Sequence, residues 1–421
     1  MKKFQNLIPV LALFVIFSGC RDTSYRIQKA NVPIYQDADE WRESTFEIQD
    51  ARTIKQPGQI YIYGDILYVV EPFEGVHIFD NINAFSPINL GFIEVLACTE
   101  VAVRNNRLFT NSYFDLLVFD VSNPKLPNYV TRTEDVFEFT SYSSITGYDP
   151  SYLMSGIKHP DKVIIGWEID EAKFPSNSGG NYAYENDAIT ANSFTSESVS
   201  SIGIGGSLAR FTIVNSNLYV IDNNNLITFG ISNDQNLTEV SSTALQRNSE
   251  TIFPNQGHLF IGTTTGVLIY DLAQPNVPTY LSEINHVLSC DPVVADGGRA
   301  YATLSTGTNC WGDNSLQVLD ISTIETPSTI ITYQLTHPQG LGIAGSLLFV
   351  CDDQDGLRIF DRSDDLQISN NLITHIPSLL STDVIPYNDV LIVRAIDGIY
   401  QYDYSDVNNI TLMSTIPVQT L

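Results

Sequence analysis

A strand-like segment recurs through this 421-residue chain at intervals of about forty residues, and few folds accommodate such a pattern. GVLIYD (Gly266–Asp271) shows it most plainly: β-branched and aromatic residues, a polar turn before, and an aspartate where the strand stops. The same segment returns as GVHIFD ending at Asp80, LLVFD at Asp120, LITFG at Gly230, SLQVLD at Asp320, GLRIFD at Asp361 and GIYQYD at Asp403. Successive copies lie 40 (Asp80 to Asp120), 41 (Gly230 to Asp271), 41 (Asp320 to Asp361) and 42 (Asp361 to Asp403) residues apart. A repeat of that length, with several strands in each unit, predicts an all-β β-propeller.

Within a unit the strands alternate. Ile60 and Ile62, then Ile66, Tyr68 and Val70, show the period of two that gives a strand two distinct faces. QIYIYG, ILYVVE, GVHIFD and PINLGFIE supply four such segments in the first unit, so each blade is expected to be four antiparallel strands with the first nearest the axis. Seven clear copies predict seven blades; counting the strand-like Lys162–Asp170 would give eight. The stretch 133–206 breaks the rhythm and is rich in Ser, Asn and Gly, which reads as a long insertion or one degenerate blade. Ser44–Asp50 is the expected closing strand, because closure removes exposed sheet edges. The aspartate that ends each copy reads as turn chemistry: in DVSNPKLP and DLAQPNVP it can accept backbone N–H bonds before a proline stops the ladder.

The ends set the location. MKK, an apolar run from Leu7 to Phe17, and Ser18-Gly19-Cys20 describe a secretory signal over residues 1–19, too short to span a bilayer. FSGC resembles the bacterial lipobox, with Phe17 where leucine is usual, so Cys20 is the expected lipidation site. Residues 20–50 read as a tether and 51–421 as the propeller. More than one acyl chain on Cys20 would anchor the protein stably, which places it in the bacterial envelope, expected at the outer membrane. The formal net charge of −27 excludes a nucleic-acid partner, since phosphates need Lys/Arg patches.

Together the motifs resemble the LVIVD repeat family of bacterial lipoproteins. The resemblance rests on the repeated LYV…GV-x-I-[FY]-D-x-S-N-P, on Cys290–Ile321, Gly340–Asp361 and Gly205–Ile213, and on the lipobox. It implies a propeller in the envelope and no particular activity.

Candidate sites come from the repeat register. Cys290 and Cys310 fall on one face of one blade, so a disulfide is expected there; its loop of about 20 residues would contribute roughly 3 kcal/mol. Cys98 and Cys351 are expected to be unpaired. Glu74, Asp115, Asp222, Asp313, Asp352, Asp353, Asp355 and Asp397 fall in equivalent turns between second and third strands. On one face of a propeller they would form a ring of carboxylates attracting a cation or a basic partner. DDQDG (Asp352–Gly356) resembles the front of a calcium loop without its closing glutamate, which makes calcium the one candidate cofactor. Trp311, Tyr182 and Tyr184 are candidate sugar or peptide contacts, and GIGGS (Gly203–Ser207) reads as flexible backbone. No nucleophile elbow or zinc motif is present. The expected function is a membrane-anchored, non-enzymatic binding or scaffolding propeller with a protein or glycan partner. The alternative is a glycan-active or other hydrolytic enzyme built on channel-mouth carboxylates, for which Glu100, Asp296 and Asp383 lie near inner strands.

Overall fold

The computed structural model describes residues 25–43, 46–138, 142–155, 161–175, 203–232, 237–286, 292–306 and 312–419. It is all-β apart from the short helix Ala38–Arg42 and two single 3-10 turns among those residues. Among the described residues there are eight sheets: six of four strands, one of six and one of three. Seven of them contain a four-stranded antiparallel meander made from consecutive strands.

The meanders follow one another in a ring. Their first strands are Ile60–Tyr63, Val101–Arg104, Phe211–Val214, Ser249–Asn255, Val293–Asp296, Pro338–Ala344 and Ser381–Tyr387, and each touches the next in chain order. The seventh meander returns to the first: Ile60, Ile62, Leu67 and Val69 pack with Ile385, Ile392 and Ile399. Asn81 and Gln401 exchange side-chain hydrogen bonds of 2.9 and 2.7 Å across the same seam. Ser414 donates to the Ala84 carbonyl (2.6 Å), and Ile54 bridges Val418. This is the propeller-like arrangement that the repeat predicts. The closing strand expected from residues 44–50 is corrected: Ile48–Gln49 pairs with Ile93 and Phe92, on the outer strand of the first meander. Closure is made by side chains and one bridge instead.

Position within a meander decides composition. Second strands are covered on both faces by neighbouring sheets, so they read as continuous apolar runs; Leu347–Asp352 is buried at every residue. Their third residue is an aromatic in six of seven copies: Tyr68, Phe109, Tyr219, Phe260, Tyr301 and Phe349, all fully buried, with Ile392 in the seventh. Each ring fills the wedge between adjacent sheets, and fully burying such a side chain contributes about 1.5–3 kcal/mol. Fourth strands lie outermost and leave alternate residues in solvent, as in Thr238–Ala244.

The recurring aspartates do what turn chemistry predicts. Asp80, Asp120, Asp271, Asp320, Asp361 and Asp403 each accept the backbone N–H two residues on, at 2.8–3.1 Å.

Over its described residues the segment expected as a tether is built into the fold. Tyr25–Asp37 forms a 13-residue strand paired along its length with Lys162–Pro175, and Leu153–Met154 adds a short parallel third strand. Lys162–Pro175 is therefore no part of a four-stranded meander, and the 133–206 insertion is in part the partner of the N-terminal strand. This small sheet packs onto turns of the first two meanders: Trp41, Val163, Ile164 and Trp167 meet Ala97 and Tyr113. The Tyr113 hydroxyl donates to the Ile164 carbonyl at 2.7 Å.

Candidate functional site

The central channel holds a segment of the chain itself. Ile204–Gly205 adds a strand to the inner edge of Ile60–Tyr63, opposite Ile62 and Tyr61. The following residues cross the ring. The Gly206 N–H donates to the Ile60 carbonyl (3.1 Å), and the Ser207 hydroxyl donates to Asp383 Oδ1 (3.0 Å) while accepting the Leu341 N–H. Further on, the Ala209 carbonyl accepts the Ile252 N–H at 3.4 Å. The Arg210 N–H then donates to Glu100 Oε2 at 2.9 Å. The segment thus bonds to the first, seventh, sixth, fourth and second meanders before entering the third. The expectation of flexible backbone for GIGGS is corrected here. Its glycines answer close approach: a Cβ on Gly203 would collide with the Tyr61 ring, and one on Gly206 with the Asp383 carboxylate.

This crossing seals charged groups at the channel. Asp383 is fully buried, and burial pushes its carboxyl up to about 6 against the opposing pull of Arg394. Glu100 is 2% exposed, and burial raises it to about 7 while the Arg210 N–H and the Arg210 and Arg394 charges pull it down. The negative charge of Asp383 is itself among the causes that raise Glu100, so carboxylates from the second and seventh meanders interact across the ring. Cys98 and Cys351 are free and buried. Burial pushes the Cys98 thiol up to about 12 and raises Cys351 as well, so both stay protonated at neutral pH.

Beside Glu100 a half-open cleft of about 40 Å³ lies between the second and third meanders. Phe73, Thr99, Asn111, Phe137 and the exposed Glu138 form the mouth; Glu100, Tyr113, Arg210, Phe211, Ile221 and Asp222 form the buried floor. Asn111 Oδ1 accepts the N–H groups of Thr99 (3.0 Å) and Glu100 (2.9 Å), which fixes the backbone leading into the strand Val101–Arg104. Asp222 Oδ2 accepts the Glu138 N–H at 2.8 Å; burial raises the Asp222 carboxyl, and that bond and Arg210 oppose the rise. Two buried polar atoms of the lining have no partner: Glu100 Oε1 and Arg210 Nε.

Of the eight turn carboxylates, Asp115, Asp222 and Asp352 are strand-end residues and the other five lie in the connections between second and third strands; most have local partners. Glu74 pairs with Arg52 and Lys55. Asp115 is fully buried and accepts from Arg42 (2.9 and 3.0 Å) and Arg132 (2.7 Å), so it anchors the helix of the small sheet. Asp352 accepts the N–H groups of Thr336 and His337, both at 2.9 Å. Asp353 lies 2.8 Å from His337 Nδ1, Asp355 pairs with Arg358 and His375, and Asp397 accepts from the Tyr400 hydroxyl at 2.9 Å. Asp313 is exposed. Asp222 alone of the eight lines the cleft. Among the described residues no group of three or more His, Cys, Asp or Glu side chains is placed to hold a metal ion. Cys20, Cys290, Cys310, Trp311, Tyr182 and Tyr184 lie outside the described residues.

Sequence reading placed Glu100 and Asp383 near inner strands but did not pair them, and it missed Arg210 and Ser207. The one available signal was the glycine density of 203–206, which marks close backbone approach as readily as a loop.

No protein-family model matches the chain, and no curated protein is similar to it in sequence. Solved structures share the fold alone. A periplasmic gluconolactonase from Pseudomonas aeruginosa is 12% identical over 86% of this chain and 96% of its own, with a TM-score of 0.52. A protein from Lactobacillus plantarum gives the same figures, 12%, 86%, 96% and 0.52. The computationally designed Ika8 protein is 8% identical over 87% of this chain and 90% of its own, with a TM-score of 0.50.

Proposed function

We propose that this chain is a non-enzymatic binding lipoprotein of the bacterial envelope, tethered through Cys20 and expected at the outer membrane. In this reading it is a seven-bladed propeller of the LVIVD-repeat kind: the seven meanders are the blades, and the three-stranded sheet is a cap on one face. Its contact surface is the face bearing the turns between second and third strands, where the cleft opens. The observation that carries the non-enzymatic reading is the chain crossing at 203–209. A catalytic carboxylate must reach the reacting atoms of a substrate, and Asp383 is enclosed by Gly206, Ser207 and Gly340.

The second reading, a hydrolase, is favoured by one observation: Glu100 and Asp383 interact and both have raised pKa values, as groups tuned for proton transfer do. One preparation of the full-length chain, expressed in a bacterium that acylates lipoproteins, tests both. The expected result is incorporation of labelled palmitate and membrane partitioning, both lost in Cys20→Ser, and no turnover of chromogenic glycosides or lactones above blank. Palmitate incorporation that persists in Cys20→Ser would overturn the anchor. Turnover abolished by Glu100→Gln would replace the binding reading with the second.

A further inference from the structure

The residues lining the cleft between the second and third meanders carry two unmet hydrogen-bonding needs. Glu100 Oε1 is a buried acceptor without a donor, and Arg210 Nε is a buried donor without an acceptor. The two residues are neighbours: the Arg210 backbone N–H donates to the other oxygen of Glu100 at 2.9 Å, and the Arg210 charge pulls the Glu100 carboxyl down. Leaving such atoms unpaired in a buried site is costly, and native structures rarely do so without a ligand or water to meet them.

The charges around the pair select the ligand. Glu100, Asp222 and Glu138 face a single guanidinium in the cleft, that of Arg210. A simple anion is repelled by that excess. A cation is drawn in, and Phe73 and Phe137 at the mouth add apolar surface against which a ligand's side chain can sit. The other turn carboxylates do not compete for it, since Glu74, Asp115 and Asp355 already have cationic partners.

We propose that this cleft binds a primary α-ammonium group with an oxygen acceptor beside it, the pattern shared by a free amino acid and a peptide N-terminus. The ammonium donates to Glu100 Oε1 and is balanced by Asp222, and the neighbouring carboxylate or carbonyl oxygen accepts from Arg210 Nε. The proposal rests on the binding reading above and deepens it by naming the ligand class.

Calorimetric titration of the full-length chain in detergent tests it, with four probes: leucine, leucine amide, the dipeptide Leu-Gly and Nα-acetyl-leucine amide. The expected result is saturable binding of at least one probe with a free α-amine, and a loss of at least about tenfold in affinity on acetylation. Binding of leucine alone assigns the free amino acid as the source; binding of the amide and dipeptide assigns the peptide N-terminus. Glu100→Gln should weaken the best probe at least about tenfold, with folding checked by its melting curve, whereas Asp397→Asn in a distant turn should leave it unchanged. Equal binding of the acetylated probe, or no heat from any probe, would overturn the ligand class. Neither result touches the palmitate and turnover measurements on which the binding reading stands.

Discussion

Burial is the largest influence on the Glu100 carboxyl and lifts it to about 7, well above its ordinary 4.5. A carboxyl raised in the folded state binds a proton that the unfolded chain has already released. Its contribution to stability is therefore fully present below about pH 4.5 and is lost as pH rises through 7. Asp383, raised to about 6, acts with the same sign between pH 4 and 6. Glu100→Gln keeps an oxygen for the Arg210 N–H and removes the ionisation. At roughly 1.4 kcal/mol per unit, the variant should gain about 3 kcal/mol over wild type between pH 4 and pH 8, read by urea denaturation at both values. No change in that difference would mean that Glu100 is solvated. Neither carboxylate advertised this in the sequence, because their interaction joins sheets that are not neighbours in the ring.

At the scale of the element, the repeat was legible because each copy meets the same surroundings. The third residue of each second strand always faces a neighbouring wedge, so the aromatic recurs, and Phe349→Ala should cost about 3–5 kcal/mol in chemical denaturation. The glycine opening many third strands has an equally local cause. At Gly356 φ is +82°, and a Cβ would collide with the Ile376 carbonyl oxygen. Gly356→Ala should therefore destabilise by about 2 kcal/mol or more, whereas alanine at Gly345, with open space around it, should cost less. The channel crossing was not legible for the opposite reason. Residues 203–209 have no repeat, and their partners (Tyr61, Asp383, Leu341 and Ile252) come from four separate meanders.

Across the whole molecule, the N-terminal strand and its partner were the largest misreading. Tyr25–Asp37 and Lys162–Pro175 are more than a hundred residues apart, and neither carries the repeat that exposed the other strands. What fixes this small sheet to the ring is also non-local: Trp41 meets Tyr113 edge-on at 5.0 Å, and Arg42 bonds to the buried Asp115. Arg42→Ala leaves Asp115 paired with Arg132, so the cost should fall below the about 3–5 kcal/mol of orphaning a buried charge, while the helix loses its tie to the ring. Limited proteolysis should then cut within 25–43 well before the meanders, and unchanged resistance would show that the cap holds without it. Consecutive meanders arranged around a channel that residues 203–209 cross is the picture from which the cleft becomes the site. Amide hydrogen exchange followed by mass spectrometry tests it on peptides covering 203–210. Exchange as slow as that of the inner strand Ile60–Tyr63 is the predicted result. Complete exchange within seconds, at the rate of an open loop, would contradict it.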